Sequence, residues 1–203
     1  MTPLALFTPL ADKPWAMWLD SGQSEYLEAG FDIIVWQPEA TLSTYGKRTT
    51  IEFLNTNERI ISDKEPLSLL NQVQKALFES LASSTTEIPF LGGALGYFAY
   101  DLGRRFEKLP TQAEQDIKLP EMAVGLYSQA VIFDHKNQQY YLVCPQEKRQ
   151  QIETQLHALI AQEHTVAQQN SFGLTSPWLS NMDIASYIDK FNQIQEYLLS
   201  GDC

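Results

Sequence analysis

The sequence of 203 residues predicts an α+β fold: largely antiparallel β-sheets, sandwich-like, flanked by helices. Three observations predict it. Short runs of period-two alternation, separated by turn residues, follow one another quickly from the N-terminus. Later segments carry apolar residues at three- and four-residue steps. The order strands then helix occurs twice, which hints at a pseudo-duplicated body.

The elements follow in order. From Trp15 to Asp20 the residues Trp15, Met17 and Leu19 alternate with Ala16, Trp18 and Asp20, and Ser21-Gly22 ends the strand. Phe31 to Val35 is a second β-rich run. Thr41 to Tyr45 and Lys47 to Phe53 face each other across Gly46 as a hairpin. Pro66 suits the first position of a helix whose stripe is Leu67, Leu70, Val73, Leu77 and Leu81. Gly92 to Tyr100 returns to strand character. Ala123 to Phe133 and Gln139 to Val143 form a further hairpin through Asp134-His135-Lys136-Asn137. A helix after Pro145 turns Ile152, Leu156, Leu159 and Ile160 inward, and the polar stretch His164 to Asn181, with Gly173 and Pro177, reads as a connection. The helix Asp183 to Leu199 has the cleanest stripe: Ile184, Tyr187, Phe191, Ile194 and Leu198. Ser200-Gly201 closes it and Asp202-Cys203 reads as the opening of another element. The sequence is therefore expected to stop partway through an architecture, without a complete catalytic site of its own.

Composition narrows the function classes. Apolar residues at 44% are ample for a core. A net charge of −11 repels phosphate backbones and anionic lipid surfaces, so nucleic acid and membrane partners are not expected. Met1 to Pro14 lacks a basic segment before Leu4 to Leu10, and no apolar run is long enough to span a bilayer, which reads as a cytoplasmic protein. Cys144 and Cys203 are too few for a disulfide framework and are expected to be reduced.

Motifs for chemistry are sparse. His135, His157 and His164 lack neighbours at zinc-ligand spacing and read as solvent-exposed. No metal site is expected. Gly92-Gly93-Ala94-Leu95-Gly96 runs straight into strand residues, so it fits a bend or close packing in a sheet better than a phosphate loop. Arg104-Arg105 could hold an anion or a partner protein by guanidinium pairing, against the commoner reading of a solvated surface pair. Asp20 and Ser21, at a strand end, fit a pocket or an ordinary turn equally well.

Four segments together carry a resemblance: Pro14-Trp15-Ala16-Met17-Trp18-Leu19-Asp20-Ser21-Gly22, Phe31 to Val35, Phe90 to Glu107 with its Gly-Gly-Ala-Leu-Gly-Tyr-Phe-Ala-Tyr-Asp core, and Glu196-Tyr197-Leu198-Leu199-Ser200-Gly201-Asp202-Cys203. They resemble the N-terminal part of the aminodeoxychorismate synthase component I family, the large subunit of para-aminobenzoate synthase. The related anthranilate synthase component I shares the Gly-Gly-x-x-Gly-Tyr-x-x-Tyr-Asp run and a Phe-Asp-His like Phe133-Asp134-His135. The Gly-Arg-Arg-Phe-Glu stretch and the Ser-Gly-Asp-Cys ending are closer to the aminodeoxychorismate branch.

The resemblance implies a full-length enzyme that aminates chorismate to 4-amino-4-deoxychorismate, on the way to para-aminobenzoate and folate. It implies Mg²⁺ as cofactor and a glutamine amidotransferase subunit as ammonia donor. The family's catalytic and metal-binding residues lie in a C-terminal chorismate-binding part, so no catalytic role is carried onto a residue of this sequence. The implied organisation is an α+β domain over 1–163, then over 164–203 a linker and the first helix leading into that part. Trp18-Leu19-Asp20-Ser21 occupies the place of a Leu-Leu-Glu-Ser segment that helps bind tryptophan in anthranilate synthases. Asp20, Ser21, Phe31 and Asp32 are thus the tryptophan-pocket candidates, with Trp18 and Asp20 departing from the family's leucine and glutamate. The rival readings are an anthranilate synthase component I and a stand-alone amino-acid-binding module.

Overall fold

A computed structural model describes residues 2–22, 30–78, 87–111, 117–161 and 173–202. The chain divides into two compact units, Met1–His164 and Thr165–Cys203.

In the first unit, a short helix α1 (Pro3–Phe7) precedes strands β1 (Met17–Leu19), β2 (Phe31–Val35), β3 (Ala40–Tyr45), β4 (Arg48–Phe53) and β5 (Glu58–Ser62). Helix α2 (Pro66–Phe78), strands β6 (Gly93–Phe98), β7 (Met122–Tyr127), β8 (Ala130–Asp134) and β9 (Gln139–Val143), and helix α3 (Arg149–Ala161) follow. Among the described residues every strand pairing is antiparallel. One sheet has the order β1-β2-β8-β9 and the other β5-β4-β3-β7-β6. The antiparallel α+β architecture matches the expectation. The pseudo-duplication does not organise it, because each sheet takes strands from both halves of the chain.

Alternation along the strands sorts the core into three clusters. On one face of the four-stranded sheet, Ile34, Trp36 and Val131 meet Leu6 and Leu10 and the α3 residues Ile152 and Leu156. On its other face, Val35, Ala130 and Ile132 meet Leu95 and Tyr127 of the five-stranded sheet. Beneath α2, Leu42, Ile51, Val124 and Leu126 pack on Leu69, Leu70 and Val73.

The run read as one strand over Ala123 to Phe133 is two strands, one in each sheet. The chain changes sheets at Ser128-Gln129, and it does so a second time between β2 and β3. Ser128 and Gln129 at one crossing and Trp36 and Pro38 at the other are buried, so the polar groups there need partners. Gln129 Nε2 donates to the Trp36 carbonyl at 3.3 Å, and Ser128 Oγ donates to Glu39, which ties one crossing to the other. No Gly, Pro, Asn or Asp marks Ser128-Gln129, so periodicity alone runs through it.

Other differences are local. Strand β5 and helix α1 lack a sequence expectation: β5 is short and largely exposed, and α1 is five residues long. In α2, Leu69 replaces Leu67 on the buried stripe; Leu67 is exposed, and Leu81 lies outside the described residues. In α3, Ile160 faces solvent while Ile152 and Leu156 are buried.

Tyr127 is fully buried, and its hydroxyl donates to the Trp15 carbonyl at 2.7 Å. Burial raises its pKa by disfavouring the phenolate. A raised acid group contributes stability that is complete below the unfolded value near ~10 and is lost as pH rises beyond it. Tyr127→Phe is therefore expected to cost about 1 kcal/mol at neutral pH, read by chemical denaturation, and to flatten the loss of stability above pH ~10.

In the second unit, helix α4 (Ile184–Ser200) begins at Asp183, whose carboxylate accepts from the Ser186 N–H at 2.8 Å. It ends at Gly201 in the left-handed conformation, φ 80°. Both ends agree with the sequence reading. Among the described residues no helix is long and apolar enough to cross a membrane.

Candidate functional site

The antiparallel register brings three polar side chains together at one end of the four-stranded sheet. Asp32 pairs with Phe133 across β2 and β8, so His135, two residues beyond Phe133, falls on the Asp32 side. The His135 N–H donates to the Gly30 carbonyl at 3.0 Å and extends that pairing. Asp32 Oδ1 then accepts from three groups: His135 Nε2 at 2.8 Å, and the backbone N–H and Oγ of Ser21, each at 3.1 Å. The Asp32 side chain is 2% exposed and that of His135 is 26% exposed.

Electrostatics favour an ionised Asp32. Burial pushes its pKa up, but the hydrogen bonds from His135 and Ser21 outweigh burial and leave it below the ordinary carboxylate value. An ionised carboxylate only accepts, so His135 carries its proton on Nε2 and Ser21 directs its hydroxyl proton inward. This is not a nucleophilic triad, because the serine and the histidine both bond the aspartate instead of each other. Gly30 makes room for the hydroxyl, since a Cβ there would lie 3.0 Å from Ser21 Oγ. The His135 ring stands edge-on to Phe133 with centroids 4.7 Å apart.

The remaining sequence-derived candidates fall elsewhere. Phe31 shares β2 with Asp32 but alternates to the opposite face, where it packs beside Val35 and Ile132 in the core between the sheets. Asp20 is exposed and its Oδ1 accepts from the Gly22 N–H at 2.8 Å, the ordinary turn reading. Arg104 donates to the carbonyls of Leu109 and Pro110 and pairs with Asp101 at 3.0 Å. Arg105 donates to the carbonyls of Gly46 (3.0 Å), Asp63 (2.9 Å) and Lys64 (3.0 Å). Both guanidiniums thus brace the loops of their own chain.

His135 corrects the reading of the histidines as solvent-exposed. Its turn position suggested water, whereas the β2–β8 register turns it onto Asp32. The Phe133-Asp134-His135 motif was the available signal. His157 is exposed on α3 and His164 lies outside the described residues.

Glu39, at the crossing from β2 to β3, was not foreseen. Its side chain pairs with Lys148 Nζ at 2.7 Å and accepts from Ser128 and Asn55. Burial raises its pKa, and these three partners more than offset that, so it stays ionised. Among the described residues no group of three His, Cys, Asp or Glu side chains is placed to hold a metal ion. Burial pushes the Cys144 thiol up, which makes it a poor nucleophile.

Comparison with known proteins adds the decisive observation. Residues 15–203 match the family model of the chorismate binding enzymes. The chain belongs to that family. Aminodeoxychorismate synthase component 1 of Klebsiella aerogenes is 46% identical over 200 residues, covering 97% of this chain and 42% of its own length. The same component of Escherichia coli (strain K12) is 42% identical with the same coverage. Anthranilate synthase component 1 of Lactococcus lactis is more distant, at 27% identity over 209 residues. The chain therefore spans about two fifths of the length of the curated relatives it matches. Among solved structures, anthranilate synthase component I from Streptococcus pneumoniae TIGR4 superposes with a TM-score of 0.50 at 24% identity, over 68% of this chain and 31% of its own, and shows the shared fold.

Proposed function

We propose that this chain serves as the N-terminal, structural and ligand-binding part of an aminodeoxychorismate synthase component I. Such an enzyme aminates chorismate to 4-amino-4-deoxychorismate, with Mg²⁺ as cofactor and ammonia from a glutamine amidotransferase subunit. The observation that carries the reading is 42–46% identity over 97% of the chain to two proteins of that name, against 27% for an anthranilate synthase component 1. The product belongs to para-aminobenzoate and folate biosynthesis, a cytoplasmic setting. Chemistry is assigned outside these residues: chorismate is a dicarboxylate, and the described residues hold neither a metal ligand set nor an arginine clear of its own chain's carbonyls at the Asp32 cluster.

What this part contributes is a pocket wall. Ser21, held by Asp32, offers lone pairs to the ammonium of an amino acid such as tryptophan, while Asp32 keeps the local field negative. A wall alone leaves the ligand half solvated and buries little area. Given chorismate, Mg²⁺ and ammonium, the chain is expected to form no aminodeoxychorismate in a coupled assay, and measurable turnover would overturn the assignment of catalysis. Titration calorimetry with tryptophan is expected to show weak binding or none. Micromolar affinity would favour a stand-alone amino-acid-binding module instead.

A further inference from the structure

A cleft runs along α3, on the side of the molecule served by Leu10 and Trp36. Its apolar part has a volume of about 440 Å³ and a floor of Leu10, Trp36, Ala158 and Leu159. Lys13, Gln37 and Gln155 supply its polar edge. A second cavity of about 620 Å³ shares Pro14, Gln37 and Gln155 with it and continues to Glu39 and Lys148. The two volumes lie in the range of small-molecule sites.

The lip of the cleft is held in an unusual conformation. Trp15 and Gln37 both have positive φ, 60° and 50°, a region that side chains with a Cβ seldom occupy and that is a marked outlier for a residue as bulky as tryptophan. Buried side chains hold both places. Tyr127 donates to the Trp15 carbonyl at 2.7 Å, and Gln129 donates to the carbonyl of Trp36, the residue before Gln37. Such strain persists where surrounding structure fixes it, and it gathers at binding sites.

Charge orients a ligand within the cleft. Glu39 closes the far end and is neutralised by Lys148 at 2.7 Å. Lys13, at the apolar end, belongs to none of the ion pairs found among the described residues. In a chain of net charge −11, a cation beside an apolar floor with two carboxamides at its edge is complementary to one chemistry. We infer that this cleft binds a small apolar carboxylate, its hydrocarbon against Trp36, Ala158 and Leu159 and its acid group on Lys13, Gln37 and Gln155. The site is separate from the Ser21–Asp32–His135 cluster and does not rest on the proposed amination role.

The test uses this chain with 3-phenylpropionate as probe, its neutral amide as comparison, and the indole N–H signals of Trp15 and Trp36 as reporters by NMR. Saturable shifts with a Kd of about 1 mM or tighter are expected for the acid, and binding roughly tenfold weaker for the amide and for Lys13→Glu. Ala158→Trp fills the cleft from an exposed helix position, so it is expected to abolish binding while leaving the thermal midpoint unchanged. His157→Ala, at an exposed position of the same helix outside the cleft lining, serves as a second variant, expected to fold and to bind like the parent. Absence of saturable shifts, equal binding of acid and amide, or undiminished binding by folded Ala158→Trp would each overturn the inference.

Discussion

Gly96→Ala is expected to lower the thermal midpoint by about 10 °C or more, or to prevent folding, when followed by circular dichroism. A Cβ on Gly96 would lie 2.1 Å from the Ala123 carbonyl oxygen and 2.7 Å from the Val124 Cα. Both are backbone atoms of β7, the strand to which the edge strand β6 is hydrogen-bonded, so no side-chain rotation relieves the contact. Relief requires the two strands to part at a place where each is hydrogen-bonded to the other. Overpacking that displaces backbone belongs at the upper end of such costs, about 3 kcal/mol or more. Two other glycines calibrate the result. Gly46 has open space around its would-be Cβ but φ of 54°, so Gly46→Ala is expected to cost about 1 kcal/mol through backbone strain alone. Gly173 has open space and no positive φ, and its replacement by alanine is expected to be neutral. A Gly96→Ala protein as stable as the Gly173→Ala one would show that β6 and β7 are not packed as described.

Asp32→Ala is expected to destabilise the first unit by about 3 kcal/mol in denaturant titration, because it strands the Ser21 N–H and hydroxyl and the His135 imidazole without their acceptor. Asp32→Asn keeps the shape and one acceptor oxygen and is expected to cost less, about 1–2 kcal/mol. The pH dependence separates the two explanations of such a loss, charge and packing. Asp32 has its folded pKa depressed, so its contribution is present above the unfolded value near ~3.9 and fades as pH falls toward the lower folded value. Both variants should therefore lose less stability on acidification than the parent over that window. A parent and an Asp32→Asn protein with the same acid profile would mean that the carboxylate is not ionised in the fold.

Much of the architecture was legible in the sequence because it is local. The alternation of Phe31 to Val35, the hairpin about Gly46, the proline that opens α2 and the caps of α4 are each set by neighbours within a few residues. The glycines of Gly92 to Gly96 were also legible as close packing in a sheet, since no phosphate-loop pattern follows them; the contact of Gly96 with β7 shows what that packing is. The break in Ala123 to Phe133 was not legible. Either side of Ser128-Gln129 is strongly β-forming, and what divides the run is the presence of two sheets that both need it.

The candidate site divides in the same way. Ser21 and Asp32 were candidates through the resemblance, and the sequence by itself determined the family to which the chain belongs. Only the tertiary structure decided their company: the pairing of β2 with β8 sets His135 on Asp32, and strand alternation turns Phe31 to the other side. It also decided that Arg104 and Arg105 hold loop carbonyls, and it raised Glu39 from an unremarked loop residue to the tie between the two sheet crossings. The physical reason is one of range. Side-chain identity and periodicity are properties of neighbours along the chain, whereas a buried carboxylate finds its partners across strands about a hundred residues apart, once register and burial have fixed which groups must satisfy one another.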